Sequence, residues 1–225
     1  MQRKLKEWEV ALRTSFGDDI STPKARRLAL WHYHIFDHAF LRTPWTNFDT
    51  VAPGVYRSNQ PTAGRFARYR SLGLKSILNL RGPSKYSPYL FEEEACAQNG
   101  YELVNAKIYA RKPARADEIL HLLDVFERIE KPFLMHCKSG ADRAGFAAAL
   151  WLLEQEGAPL EVAQKQLAAR YAHLSWTKTG IVDHILKLYG QDRGTGSLTF
   201  RAWVETKYDP KYAAESFAAT PLWKR

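Results

Sequence analysis

One short stretch constrains this chain more than any other. The apolar run Pro132-Phe133-Leu134-Met135 breaks into His136-Cys137-Lys138-Ser139-Gly140-Ala141-Asp142-Arg143, and an apolar helical pattern then runs from Ala144 to Glu154. A run of strand length, a glycine-containing turn and a helical period in succession predict a strand, a loop and a helix. The free N–H groups at the start of such a helix attract an anion. The same alternation runs upstream: a helix around Ala63 to Leu72, a buried strand from Ser76 to Leu80, a helix near Leu90 to Gln98, a strand near Glu102 to Ile108 and an amphipathic helix from Asp117 to about Ile129. It predicts an α/β fold, a central mixed or parallel sheet of about four to five strands flanked by helices. Ligands of such sheets bind beyond the carboxyl ends of the strands, where Cys137 stands.

Gly54 to Ser58 reads as a short strand entering a turn at Gln60-Pro61, which predicts three parts. Residues 1–50 form a helical basic and aromatic extension, in which Lys4 to Trp8 and residues 24–40 read as helical. Residues 51–190 form the main α/β domain, ending in helices over Asp142 to Glu156, Leu160 to Tyr171 and Thr179 to Tyr189. Residues 191–225 form a packed C-terminal extension.

At 225 residues with 45% hydrophobic content, the chain can bury one good core. A formal net charge of +9 predicts an anionic partner. The basic residues are dispersed, without zinc-finger spacing or RNA-recognition aromatics, which argues against nucleic acid. Two cysteines are too few for a disulfide framework, and the N-terminus is charged from Arg3 onward, so a reducing cytoplasm is expected. No run approaches the roughly 20 apolar residues of a membrane span. Residues 24–40, basic at the start and aromatic in the body, still allow peripheral contact with the inner face of a membrane. His32, His34 and His38 with Asp37 have ligand-like spacing, but their aromatic neighbours favour packing, and no metal site is expected.

The loop joins groups suited to phosphate. Cys137 attacks phosphorus as a thiolate, which inward N–H groups at a helix start favour. Arg143, five residues on, presents a planar fork that matches two phosphoryl oxygens and the charge of the transition state. The amides from Lys138 through Ser139, Gly140, Ala141 and Asp142 to Arg143 would complete the cradle, with Gly140 allowing close approach and Lys138 adding positive potential. His136 would orient the loop by hydrogen bonding. Cys96, on an amphipathic helix, reads as a core residue rather than a redox partner of Cys137.

This HCxxGxxR arrangement from His136 to Arg143 resembles the protein tyrosine phosphatase superfamily, in particular its compact, bacterial-like dual-specificity branch. Val55-Tyr56-Arg57-Ser58-Asn59-Gln60-Pro61 and Ile77-Leu78-Asn79-Leu80-Arg81 resemble strands of the same branch, so the likeness runs over roughly residues 50 to 175. The resemblance implies hydrolysis of phosphate monoesters through a cysteinyl-phosphate, without cofactor or metal, with a general acid serving both half-reactions. Two positions depart from it. The loop from Asn105 to Arg115, where the family carries its aspartic acid, has no carboxylate. The candidates left are Asp142, in a placement resembling the Asp-Arg pair of phosphoinositide-directed and some bacterial phosphatases, and Asp117 at a helix start. The second departure is Ala144, where the family has a hydroxyl facing the thiolate. The implied substrate is a phosphorylated protein of phosphotyrosine or dual-specificity type. Anionic lipid headgroups and inositol polyphosphates are alternatives, and a binding-only pseudophosphatase or a rhodanese-like sulfurtransferase are competing classes.

Overall fold

The computed structural model describes residues 15–194 and 196–222. The helical reading of Lys4 to Trp8 lies outside them. Helix α1 (Pro23–Trp31) is capped by Thr22, whose side chain accepts from the Ala25 N–H, with Pro23 at its first position. The helix does not continue to residue 40 as expected. It widens into a π-turn over His32–Phe36, and a 3-10 turn over Ala39–Arg42 follows His38, whose φ is +54°.

The sheet contains β1 (Asp49–Ala52), β2 (Val55–Asn59), β3 (Ser76–Asn79), β4 (Glu102–Asn105) and β5 (Phe133–Cys137), in the order β1-β2-β5-β3-β4. All pairs are parallel except the β1-β2 edge. Residues of β3 and β5 are all buried, as central strands covered on both faces must be. The edge strand β1 was not expected from the sequence: four residues with a register shift carry too little alternation to stand out. Helices α2 (Ala63–Arg68) and α3 (Ser87–Asn99) cover one face around Phe66, Ile77, Cys96 and Leu134.

Helix α4 (Ala116–Arg128) covers the other face, together with α5 (Asp142–Glu154). Residues 144–152 of α5 are all buried, because the sheet lies on one side and further helices on the other. Trp151 packs edge-on against Phe126 and Phe133 with ring centroids 5.2 and 5.0 Å apart. The expected helix from Leu160 to Tyr171 is instead α6 (Leu160–Gln164) followed by two 3-10 turns, 165–167 and 169–171. Helix α7 (Ile181–Arg193) comes next, then α8 (Phe200–Thr206) and α9 (Pro210–Ala219). Phe200, Trp203 and Tyr208 of the C-terminal segment lie in the main core, where each buried aromatic ring contributes roughly 2–3 kcal/mol.

Among the described residues no helix is long and apolar enough to cross a membrane. Cys96 and Cys137 are free and belong to different apolar clusters. Burial pushes the Cys96 thiol up, far from a reactive thiolate.

Candidate active site

Cys137 ends β5, in register with Asn59 of β2, and the loop 138–141 leads into α5. The Gly140 N–H donates to Cys137 Sγ at 3.2 Å. Gly140 has φ +76°, and a Cβ there would lie 2.5 Å from the Asn59 backbone nitrogen. The close approach leaves no room for a Cβ, and the left-handed backbone favours glycine.

The loop keeps this shape because its carbonyls are pulled outward. Arg57, fully buried on β2, donates from Nη2 to the carbonyls of Gly140 at 2.6 Å and Ala141 at 3.2 Å. Its Nη1 donates to Gln166 at 2.6 and 2.8 Å, and the guanidinium lies 3.7 Å from the centre of the Tyr171 ring. Asn47 Nδ2 donates to the Ser139 carbonyl at 3.1 Å and to the Tyr171 carbonyl at 2.9 Å. In a planar trans peptide the N–H points opposite to its C=O. Tying down the carbonyls of 139, 140 and 141 therefore turns the N–H groups of 140, 141 and 142 into the loop. Burial pulls the Arg57 guanidinium down to about 10, against the pull of Tyr171 and Cys137, so it stays charged at neutral pH beneath the thiol.

His136 is buried, with Nδ1 3.4 Å from the Cys137 carbonyl and Nε2 against Glu92. Glu92 accepts from Gln60 Nε2 at 2.8 Å, and Gln60 accepts from Arg81. Arg81 reaches Asp37 at 2.7 and 3.0 Å. Asp37 also accepts from Arg42 at 2.5 Å and lies 3.5 Å from Lys138 Nζ. Burial pushes the Asp37 carboxyl up, but Arg81, Arg42 and Lys138 outweigh it and hold the group well below the usual carboxylate range. Asp37 and these arginines were not singled out as site residues in the sequence. His136 is thus linked through Glu92 on α3, Gln60 and Arg81 to Asp37 in the N-terminal segment.

A cavity of about 450 Å³ opens in front of the loop, lined by Arg143 and Lys138 with Arg81 and Lys107. Phe36, Tyr86 and Tyr89 form aromatic parts of its wall. A second cavity, of about 370 Å³, is lined by Asp142, Arg111 and Lys178. The loop 105–115, which lacks a carboxylate, instead gives a cation to each cavity, Lys107 to one and Arg111 to the other.

The two acid candidates differ. Asp117 is exposed and paired with Arg115 at 2.6 and 2.9 Å, and that hydrogen bond lowers its pKa. Neither cavity is lined by it. Asp142 opens α5 inside the loop, with Oδ1 2.7 Å from His173 Nδ1, while His173 Nε2 lies 2.6 Å from Asp183. Ala144 is fully buried at the next position but one. Among the described residues no group of His, Cys, Asp and Glu is arranged to hold a metal. His32 faces Ser87 at 2.7 Å and stacks on Tyr86, which is packing rather than ligation.

Residues 43–150 match the family described as the tyrosine phosphatase family. The matched segment is 108 of the 225 residues, just under half of the chain. An inositol diphosphatase of Arabidopsis thaliana, DSP3, is 32% identical over 104 residues, 45% of this chain and 51% of that protein. The chain spans about half the length of the curated relatives it matches. Among solved structures, the core catalytic domain of the PP-IP phosphatase SIW14 from S. cerevisiae superposes with a TM-score of 0.50 at 21% identity, over 65% of this chain and 92% of that one. TpbA of P. aeruginosa gives 0.50 at 18% identity, over 79% and 99%. These likenesses show a fold shared with those two structures, and in this chain Cys137 stands at the carboxyl end of the central strand.

Proposed function

We propose that this protein is a cysteine-dependent phosphatase that hydrolyses phosphate monoesters through a cysteinyl-phosphate, acting on phosphorylated protein of phosphotyrosine or dual-specificity type. The observation that carries the proposal is the Gly140 N–H on Cys137 Sγ, in a loop whose carbonyls are drawn outward by Arg57 and Asn47. Amides preset in this way stabilise a thiolate and then the three equatorial oxygens of the transition state, with no reorganisation at the moment of reaction. In the first half-reaction the sulfur–phosphorus bond forms and the phosphorus–oxygen bond breaks, the leaving alcohol taking a proton. In the second, water attacks phosphorus, the thiolate departs and inorganic phosphate is released. Arg143 supplies the fork for the equatorial oxygens, and Lys138 to Arg143 the cradle. Phe36, Tyr86 and Tyr89 on the wall of the front cavity support an aryl phosphate.

A second reading, an inositol polyphosphate as substrate, is supported by the basic lining of that cavity and by the name of the Arabidopsis relative. An anionic lipid headgroup shares this chemistry. Leu28, Trp31, Ile35, Phe40 and Leu41 are exposed on the N-terminal segment, which supports peripheral contact with the cytoplasmic face of a membrane through residues 24–40. Purified protein should hydrolyse a small aryl phosphate with chelator present and be blocked by vanadate. Cys137→Ser and Arg143→Ala should each lose on the order of 10³-fold or more in kcat. Undiminished turnover by Cys137→Ser would falsify the mechanism, and phosphate binding without turnover by the unaltered protein would make it a pseudophosphatase. A panel of phosphopeptides, inositol phosphates and vesicles carrying phosphorylated lipid ranks the substrates.

A further inference from the structure

His173 is a buried histidine that the mechanism above does not use. It follows the 3-10 turn at 169–171 and sits between the first turns of two helices, with Nδ1 2.7 Å from Asp142 on α5 and Nε2 2.6 Å from Asp183 on α7. Both contacts are satisfied only when both ring nitrogens carry hydrogen, that is, by the imidazolium; a neutral ring would turn a lone pair on one carboxylate. Burial disfavours that charge, but the hydrogen bonds to Asp142 and Asp183 outweigh it and raise the pKa to about 9. The charged groups facing His173 are these two carboxylates, and Arg111 and Lys178 line the cavity onto which Asp142 opens. The Asp142 side chain is 22% exposed, whereas that of His173 is fully covered.

These contacts bear on an otherwise missing part of the proposed phosphatase. A carboxylate beside a phosphate has little tendency to hold a proton, and the loop 105–115 offers no other acid. We propose that His173, held by Asp183, is a positioning residue that supplies Asp142 with the proton for the leaving group, so that Asp142 and His173 work as one proton-transfer unit. The inference rests on the phosphatase reading. As the phosphorus–oxygen bond breaks, His173 Nδ1 gives its proton to the Asp142 carboxylate while Asp142 delivers one to the leaving oxygen, so Asp142 is left ionised. The ring is then neutral and still donates from Nε2 to Asp183. When water attacks the cysteinyl-phosphate, its proton passes to Asp142 and back to His173. One proton leaves and one returns, so the cycle balances. The arrangement stores the proton on a group that stays loaded at neutral pH and delivers it through one that can reach the loop.

The test is the pH dependence of kcat for aryl phosphates of good and poor leaving group, measured on the full chain and on His173→Gln, Asp183→Asn and Asp142→Asn. The unaltered protein should lose kcat for the poor leaving group as pH rises through about 9. His173→Gln should lower that kcat roughly 10²-fold and steepen its dependence on the leaving group, with KM changed by less than about 2-fold. Asp183→Asn, which keeps the ring but removes one of its carboxylates, should move the basic limb to lower pH. Lys138 also titrates on the basic side but lies on the other wall of the loop, so its limb would not follow Asp183. Limbs and leaving-group dependence identical to the unaltered protein in Asp183→Asn overturn the inference, even where His173→Gln does not fold. So does an NMR titration of His173 with its pKa at or below 6.5. No hydrolysis by the unaltered protein would instead overturn the phosphatase reading itself, which keeps the two failures apart.

Discussion

Asp37 and Asp142 stand on two sides of the same loop, and their surroundings are opposite. Asp37 is buried among Arg42, Arg81 and Lys138, three groups that hold a positive charge and leave the carboxylate no exchangeable proton. Asp142 faces a histidine, the one cationic side chain whose proton can move at ordinary pH. The same side chain is thus a structural anion in front of the loop and a candidate proton carrier within it. A carboxylate's role near a phosphate is set by the kind of cation beside it.

The largest expected effect separates the two as structural and chemical residues. Asp37→Asn leaves Arg42 buried without its counter-charge and should cost roughly 3–5 kcal/mol in urea unfolding. Asp142→Asn should cost clearly less in stability while losing kcat for poor leaving groups. Equal losses of stability would erase the distinction.

Next comes the pH dependence of stability, which should have opposite signs at the two sites. His173 has its pKa raised from 6.5 to about 9, so its contribution, roughly 3 kcal/mol at most, is complete below pH 6.5 and is lost as pH rises through about 9. Asp37 has its pKa lowered from 3.8, so its contribution is present above that value and is lost as pH falls below it. Urea unfolding of His173→Gln and Asp37→Asn across the pH range should lose the alkaline and the acid dependence respectively.

A smaller effect tests the bracing between the two regions. Arg57→Lys keeps the charge but loses the fork that reaches both Gly140 and Gln166, and should weaken vanadate inhibition by about 10-fold. The smallest is at Asp117, exposed and paired with Arg115: Asp117→Asn should leave the pH profile of kcat unchanged, and a lost basic limb would move the acid role there.

How much of this was legible follows from distance along the chain. The strand, loop and helix from Phe133 to Glu154 are contiguous, and the spacing of Cys137, Gly140 and Arg143 is a local property that periodicity and turn chemistry reveal. The parallel sheet was legible for the same reason, through runs such as Ser76 to Leu80. The short edge strand β1 was not, because its four residues acquire their meaning by pairing with β2. The aromatic neighbours of His32 already favoured packing over ligation, and the side chain stacks on Tyr86 and faces Ser87.

The sequence by itself determined the layered α/β frame and the spacing of Cys137, Gly140 and Arg143 along the loop, since each depends on neighbours within a few residues. Tertiary structure alone decided what surrounds the loop. Arg57 meets Gly140 and Gln166, Asp37 meets Arg81, and Asp142 meets His173 only when the sheet and helices pack, because hydrogen bonds and ion pairs act over a few ångströms of space whatever the separation along the chain.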